Sequence, residues 1–530
     1  MKEEKDIIIV GFGGAGATAA LEAADQGASV LLVDRFKGGG ATAISGGIIY
    51  AGGGTPYQKY CGFRDTPENM YQYLKHEVGD CVSSETLKRF CGESVQNLSW
   101  LQGKGVPFSP KFYPKKTSYP PESYFFYYSG NELFNPYKKD SEPVPRGHRV
   151  KGPGFSGRTF FLSLKKAVES HEGISVRVQT KVDELIVEGG KVKGVRVKTI
   201  KNPLASLLHS FLSWSMLFLR YVSIFIPPVM KFLEKIVLIL EKKFSESEDL
   251  YAKKGVILSS GGFIFNRDMV KEFAPQYKKG FPLGTIGDDG SGIKMGQAAG
   301  GDVSKMNRVT AWMFFVPPSV FAKGLLVNRK GQRICNEEHY GATVGDEMAL
   351  HHEGESYLII DASIWNEAFR QTLREPHAWF QVLTSLTNLM MNRKKSSSLE
   401  GLAFACGIDT EGLLKTVKVY NEESVDSFEK SKGNKRPLEG TTFYAVRCFL
   451  DNKLFPCPTL TLGGLKVDEE SGAVLRSDGS KIEGLYAAGR NAVGLSSHSY
   501  VSGLSLSDCV FSGRRAGKYA AETKSEKAAA

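Results

Sequence analysis

One short stretch restricts this chain more than any other. An apolar run at residues 6–10 passes straight into Gly11-Phe12-Gly13-Gly14-Ala15-Gly16, and an alanine-rich segment, 17–26, follows. Buried strand, glycine loop and helix in that order make the first half of a βαβ unit. Each glycine has a chemical purpose: Gly11 makes the tight turn, Gly13 lets the backbone approach a pyrophosphate, and Gly16 lets the helix pack on the strand. Gly14 and Ala15 complete the loop, and the N-terminus of the helix that follows faces the phosphate charge. A second apolar strand, 28–33, ends in Asp34 with Arg35 beside it. That carboxylate stands about twenty residues on, where it accepts ribose hydroxyls.

The segments downstream decide between dinucleotides. Residues 38–47 read GGGATAISGG, and small residues there (Gly40, Ala41, Thr42, Ser45, Gly46, Gly47) let the chain run close beside the ribityl and isoalloxazine parts of FAD. Residues 484–490, GLYAAGR, close a strand on Gly489 and Arg490, where a second segment meets the flavin phosphates. A helix starting near Leu504, with Ser505 and Leu506 in its first turn, aims its amides at the flavin C2 carbonyl and N1.

Bulk properties exclude several classes. The 530 residues suffice for two or more domains. The first residues are charged and enter a strand directly, so no leader peptide is expected. Eight scattered cysteines without a CxxC pair argue against zinc and iron–sulfur sites and fit a reducing, cytoplasmic setting. A net charge of +11 is spread along the chain with no nucleic-acid recognition motif, so anionic lipid is the better use of it. The polar tail, 522–530, is expected to be disordered.

Five segments in order, GGATAISGG, Ser260-Gly261-Gly262-Phe263, residues 287–292 (GDDGSG), Thr461-Leu462-Gly463-Gly464 and GLYAAGR, resemble the FAD-dependent fumarate reductase/3-ketosteroid dehydrogenase superfamily. The resemblance implies an α/β fold: a Rossmann-type FAD-binding domain built from both chain ends (1–305 and 461–530), interrupted by an α+β cap at 306–460. It adds Val182, Gly262 and Asp289 to the cofactor contacts. No histidine lies in 38–47, where covalently flavinylated members carry one, so FAD is expected to be noncovalent. No second dinucleotide fingerprint marks a site for NAD(P)H, and the electron partner is left open.

Dicarboxylates need fixed cations. Fumarate reductases place a His before the TxGG turn and an Arg after an Asn-Glu pair; here the positions read Pro458-Thr459-Leu460 and Asn336-Glu337-Glu338-His339-Tyr340. Aromatic and hydroxyl residues replace the cations. Tyr124, Phe126, Tyr128 and Phe314 offer apolar walls. Tyr500-Val501-Ser502-Gly503-Leu504-Ser505, with Asn-Glu-x-x-Tyr ending in Tyr340 and Pro145-Arg146-Gly147-His148-Arg149, resembles the 3-ketosteroid Δ4-dehydrogenases; the Pro-Gly-Pro-Gly turn of the Δ1 enzymes is missing. The resemblance implies that Tyr500 accepts or donates the C4 proton, relayed through Ser502 and Tyr340, while amides near Gly503 and Leu504 steady the C3 oxygen. The expected activity is therefore at the C4–C5 bond of 3-ketosteroids, in either direction. The alternatives are a Δ1-dehydrogenase, an ene reductase of another apolar enone, or, from another class, a membrane-docked electron-transfer flavoprotein.

The superfamily pattern has no need of residues 203–244. This apolar insertion breaks at Pro227-Pro228. Its second half sets Lys231, Glu234, Lys235, Glu241 and Lys242 against Phe232, Leu233, Ile236, Val237 and Leu240; its first half carries a weaker polar stripe of Ser206, His209, Ser210, Ser213, Arg220 and Ser223. Both flanks are strands of one domain, which rules out a single membrane span. A helical hairpin lying on a membrane surface, or one packed against protein, remains.

Overall fold

The computed structural model describes residues 4–219 and 227–523. Eight strands form the central sheet: β1 (Lys5–Val10), β2 (Val30–Val33), β3 (Ile174–Arg177), β4 (Thr180–Glu188), β5 (Lys191–Ile200), β6 (Ser245–Leu258), β7 (Ala473–Leu475) and β8 (Lys481–Ala487). The order β7-β8-β6-β1-β2-β3 is parallel from β8 to β3. Strands from opposite ends of the chain thus share one layer. Ile7, Ile8, Ile9 and Val10 are all buried, the pattern of a parallel strand covered on both faces.

Helix α1 (Gly14–Asp25) packs along the C-terminal helix, Leu504–Glu522, at the expected Leu504 start. α1 begins three residues before the expected 17, because the glycine loop itself turns into the helix. Of the expected tail, residues 524–530 lie outside the described residues.

The insertion grows from a β-hairpin. β5 and β6 pair antiparallel up to Ile200↔Ser245, and between them the chain forms α2 (Pro203–Leu219) and α3 (Pro227–Phe244). α2 is inside out. Its polar stripe faces the protein, with His209 fully buried and Gln179 donating to the Ser206 carbonyl at 2.8 Å and to the Ser210 hydroxyl at 3.1 Å. Leu204, Leu207 and Phe211 are 79, 69 and 59% exposed. Between the helices Ala205, Leu212, Met216, Val237 and Leu240 make a small core. Phe232 stands apart from its expected apolar companions and is exposed, as are Leu238 and Ile239. Arg220 and Ser223 lie outside the described residues. Among the described residues, no helix is long and apolar enough to cross a membrane.

Two further sheets carry the rest of the site. An antiparallel sheet of Leu325–Val327, Glu355–Asp361, Phe443–Phe449 and Arg393–Ser396 packs with helices that include α4 (Gly341–His351) and α5 (Trp379–Met390), giving the α+β part of the fold. A smaller sheet joins Ile48–Tyr50, Gly147–Arg149, Phe126–Tyr127 and Phe112–Tyr113. It sits behind the first turn of α6 (Leu504–Glu522): the Tyr50 amide donates to the Gly503 carbonyl at 3.3 Å and to the Ser507 hydroxyl at 2.8 Å.

Candidate active site

A cavity of about 500 Å³ extends from the glycine loop to Tyr340 and Tyr500. Gly11, Gly13, Gly14, Ala15, Asp34 and Arg35 line its nucleotide end. Gly40, Ala41, Thr42, Ser45, Gly46, Gly47, Val182, Gly489, Arg490, Ser505 and Leu506 follow, and Phe314, Tyr340, Tyr500, Ser502 and Gly503 line the rest. Four expected cofactor residues stand off the lining. Gly16 lies under α1, where a Cβ would strike the Gly11 carbonyl, and Leu504 is packed in the core with Tyr50 and Tyr73. Gly261 and Asp288 line the cavity in place of Gly262 and Asp289, one residue earlier in each case.

Asp34 is held by the backbone. Its Oδ2 accepts from the Phe12 amide at 2.8 Å, and its Oδ1 from the Phe36 and Gly38 amides at 2.7 and 3.2 Å. Burial raises its pKa while these amides oppose the rise. Arg35 spends its charge inside the protein. Nε and Nη2 each donate to Glu241 at 2.8 Å, and Nη1 donates to Asp289 at 3.0 Å. Burial would lift the Glu241 carboxyl, but bonds from His209 and Arg35 hold it down at about 2. The insertion is therefore clasped to the residue next to the ribose acid.

The residues present fit FAD. A Cβ on Gly13 would meet nothing nearer than the Thr42 hydroxyl at 3.5 Å, and one on Gly40 nothing within 4 Å, so both backbones border open space. Arg490 donates from Nη2 to Asp288 at 2.6 Å, while its buried Nη1 has no partner among the described residues. Amides, hydroxyls and one guanidinium along a narrow cavity are the donors a flavin dinucleotide requires.

At the other end, three phenols meet around Ser502. Tyr500 packs on Trp312 with ring centroids 4.6 Å apart, and Tyr340 meets Phe314 edge-on at 5.3 Å. Ser502 Oγ lies 3.2 Å from the Tyr127 hydroxyl. Burial raises the phenol pKa of Tyr500, Tyr340 and Tyr127; Arg490 opposes the rise at Tyr500, and a bond with Ser502 opposes it at the other two. Gly503 caps α6 with φ +94°, and a Cβ there would lie 2.7 Å from the Tyr50 amide nitrogen. Only glycine fits that turn.

The segment carrying Tyr340 is anchored from behind. Buried Glu337 pairs with Arg333 at 2.7 Å and Lys430 at 2.8 Å and accepts the Leu326 amide at 2.8 Å. Tyr340 is the N-cap of α4, and its amide donates to Asn131 Oδ1 at 2.6 Å. Asn131 in turn donates to Glu77 at 3.1 Å and Thr343 at 3.0 Å.

Of the expected walls, only Phe314 lines the cavity; Tyr124, Phe126 and Tyr128 do not. Phe126 packs on His148 and Phe112, Tyr128 on Phe63 and Phe112, and Tyr124 on Tyr113. In an extended strand neighbouring side chains point to opposite faces, so Phe126 and Tyr128 share one face and Tyr127 alone reaches Ser502. That alternation was the available signal for Tyr127. Asn131 carried none, and neither did Phe155 and Phe380, which wall the cavity from a loop and from α5. Asp80, Cys81 and His498 bring three donor atoms together nearby, but Lys305 already holds the Asp80 carboxylate at 2.7 Å.

Comparison with known proteins matches residues 6–506 to the family described as FAD binding domain. The chain belongs to that family. It is an FAD-dependent oxidoreductase of the fumarate reductase/3-ketosteroid dehydrogenase superfamily. It is 36% identical to the 3-oxo-5-alpha-steroid 4-dehydrogenase of Comamonas testosteroni over 506 residues, 92% of either chain. Its fold superposes with TM-score 0.81 on a 3-ketosteroid-delta4-(5alpha)-dehydrogenase from Rhodococcus jostii RHA1 in complex with 4-androstene-3,17-dione, at 29% identity and covering 98 and 97% of the two chains. A flavocytochrome c3 fumarate reductase in its open conformation shares the fold with TM-score 0.62 at 21% identity, covering 98% of this chain and 78% of that one.

Proposed function

We propose that this chain is a 3-ketosteroid Δ4-dehydrogenase, removing hydrogen from C4 and C5 of a 5α-3-ketosteroid. The observation that carries the reading is the meeting of Tyr500, Ser502 and Tyr340 on one cavity wall beside Trp312 and Phe314. The cations on the cavity lining each pair with a carboxylate, Arg35 with Glu241, Lys181 with Asp183 and Arg490 with Asp288, and the Arg490 Nη1 that is left over is among the donors for the cofactor. Residues 1–305 and 461–530 form the FAD domain in this reading, and 306–460 the cap over the steroid.

When bound, FAD supplies the two-electron acceptor for hydride from C5. The chain's own residues manage the proton. The C4 hydrogen is weakly acidic, and the Gly503 amide stabilises the enolate that its loss builds at C3, the Leu504 amide being bonded to the Val501 carbonyl at 3.0 Å. Burial keeps all three phenols neutral, so Tyr500 takes the C4 proton only while passing on its own. Ser502, in contact with two further phenols, hands that proton along. Trp312, Phe314 and Phe380 exclude water from the enolate.

Anaerobic titration of the purified yellow protein tests the activity. A saturated 5α-3-ketosteroid bleaches the flavin and yields the 4-ene; an unbleached flavin overturns the reading.

The α2–α3 hairpin we assign to the surface of an anionic bilayer. In α2 Leu204, Leu207 and Phe211 face outward while Ser206, His209 and Ser210 are bonded inward, and in α3 Phe232, Leu238 and Ile239 are exposed, an apolar outer face that suits a lipid surface better than water. Lys231, Lys235, Lys242 and Lys243 are exposed around that face, and the chain carries +11 overall, which suits anionic headgroups. The protein should pellet with vesicles of phosphatidylcholine and phosphatidylglycerol and less with phosphatidylcholine alone. The double variant Leu207→Asp/Phe211→Asp should remain in the supernatant at unchanged turnover. Equal pelleting of the variant, or a dimer of wild type that the variant abolishes, contradicts the assignment.

A further inference from the structure

Behind Ser502 lies a group of buried polar residues that the chemistry above leaves unused. Tyr127, whose hydroxyl touches Ser502, is fully buried. Its ring and the Ser129 side chain both press against Gly147, where a Cβ would sit 2.8 Å from Tyr127 and 2.6 Å from Ser129. Ser129 Oγ has no hydrogen-bond partner among the described residues. The same holds for Glu132 Oε1, Arg146 Nη1 and the Tyr50 hydroxyl, all from residues at most 1% exposed. Glu132 uses its other oxygen to accept the Gly130 amide at 2.8 Å, and Arg146 uses its other nitrogens to grip Asp65 at 2.9 Å. Buried polar atoms without protein partners are ordinarily bridged by internal water, which needs several such groups converging. Donors and acceptors alternate here: hydroxyl, carboxylate, guanidinium, hydroxyl.

We propose that Glu132 is the internal store for the proton released at the active site, reached from Ser502 through Tyr127 and water held against Ser129 and Arg146. The inference rests on the dehydrogenase reading above. In the forward reaction the C4–H bond breaks and its electron pair forms the C4–C5 double bond, as the C5–H pair leaves as hydride. The steroid is oxidised and the flavin reduced. Each hydroxyl along the chain gains one proton and gives up another, and the Glu132 carboxylate ends as a carboxylic acid. The proton then leaves between turnovers, when the cavity is open to solvent.

The surroundings of Glu132 suit a store that both fills and empties. Arg146 faces it from beside the strand Gly147–Arg149, Tyr50 from Ile48–Tyr50, and Tyr73 and Glu77 from the helix Pro67–Val78. Tyr127 and Tyr128 flank it on its own segment, and Lys116 and Tyr340 complete the set. Burial pushes the Glu132 carboxyl up, with the Arg146 charge and two amides pulling back, to about 7. A group poised there accepts a proton in one step and loses it in the next. Arg146, already neutralised by Asp65, steadies the ionised form without locking it.

Two readouts test this. In stopped-flow anaerobic reduction by a 5α-3-ketosteroid, the wild-type bleaching rate should rise with pH through an inflection near 7, because only ionised Glu132 accepts the proton. Glu132→Gln should bleach at least about tenfold more slowly at neutral pH, with the inflection gone, whereas Glu132→Asp should keep one. Infrared titration without substrate should show, in the wild-type minus Glu132→Gln difference, a protonated carboxyl band growing as pH falls through neutrality, over the bands of Asp346 and Asp508 that the two proteins share. If Glu132→Gln fails to retain FAD, Ser129→Ala serves instead, slowing bleaching at unchanged FAD content. Wild-type rate and inflection in Glu132→Gln, or a uniform slowing with the inflection intact, overturns the proposal. A wild type that no steroid bleaches would sink the dehydrogenase reading instead.

Discussion

The two ends of the cavity are built on different principles. At the nucleotide end much of the ligand-facing surface is glycine backbone, and its core, residues 10–15 with Asp34, comes from one continuous strand–loop–helix–strand unit. At the steroid end they are side chains from segments far apart in sequence: Phe314, Tyr340, Phe380 and Tyr500. Backbone geometry tolerates side-chain change outside the glycines, whereas the steroid end depends on each phenol individually. The nucleotide end should therefore fail all at once and the steroid end by degrees.

Gly16→Ala should have the largest effect. A Cβ there collides with the Gly11 carbonyl, which cannot move without displacing β1. The purified variant should be nearly colourless, with FAD content reduced at least about tenfold, or ~1.4 kcal/mol in affinity. Tyr500→Phe comes next. It removes a proton carrier and leaves the cofactor cradle alone, so the ratio of flavin to protein absorbance should stay at the wild-type value. Turnover should fall about 100-fold or more, the usual range for loss of general acid–base help. Tyr127→Phe should cost less, about fivefold in turnover, because it deletes one hydrogen bond worth ~1 kcal/mol. Loss of FAD from either tyrosine variant would break the comparison, since it would tie the steroid end to the cofactor cradle.

The smallest effect tests the clasp between Arg35 and the insertion. The Glu241 carboxyl sits below its ordinary value, so its stabilisation is present above that value and is lost only as pH falls toward about 2. Glu241→Gln should lower stability by roughly 1 kcal/mol at neutral pH, and the deficit should stay constant down to about pH 5. Thermal melts across that range measure it.

The same contrast explains what could be read from the residues alone. β1, the glycine loop, Asp34 and the start of α6 near Leu504 were legible because their spacing is local and the backbone does the work. Gly261 and Asp288, one residue away from the expected Gly262 and Asp289, mark the limit of motif transfer: the motif places the loop, and local φ decides which residue faces inward. Arg35 lines the nucleotide end as expected, but its guanidinium is held by Glu241, a partner about two hundred residues later that no short-range pattern announces. α2 departs from the usual rule, since Ser206, His209 and Ser210 face Gln179 and Glu241 inside while Leu204, Leu207 and Phe211 face out. The misplacement of Tyr124, Phe126 and Tyr128 has a simpler cause: an aromatic run does not reveal which of its two faces meets the cavity.

The central claim is that hydrogen leaves C4 and C5. It is tested most directly by single-turnover flavin reduction under anaerobic conditions, with a 5α-3-ketosteroid carrying deuterium at C5. A primary isotope effect on bleaching, with the 4-ene-3-ketone as product, is the predicted result; a 1-ene product formed without an isotope effect would contradict it.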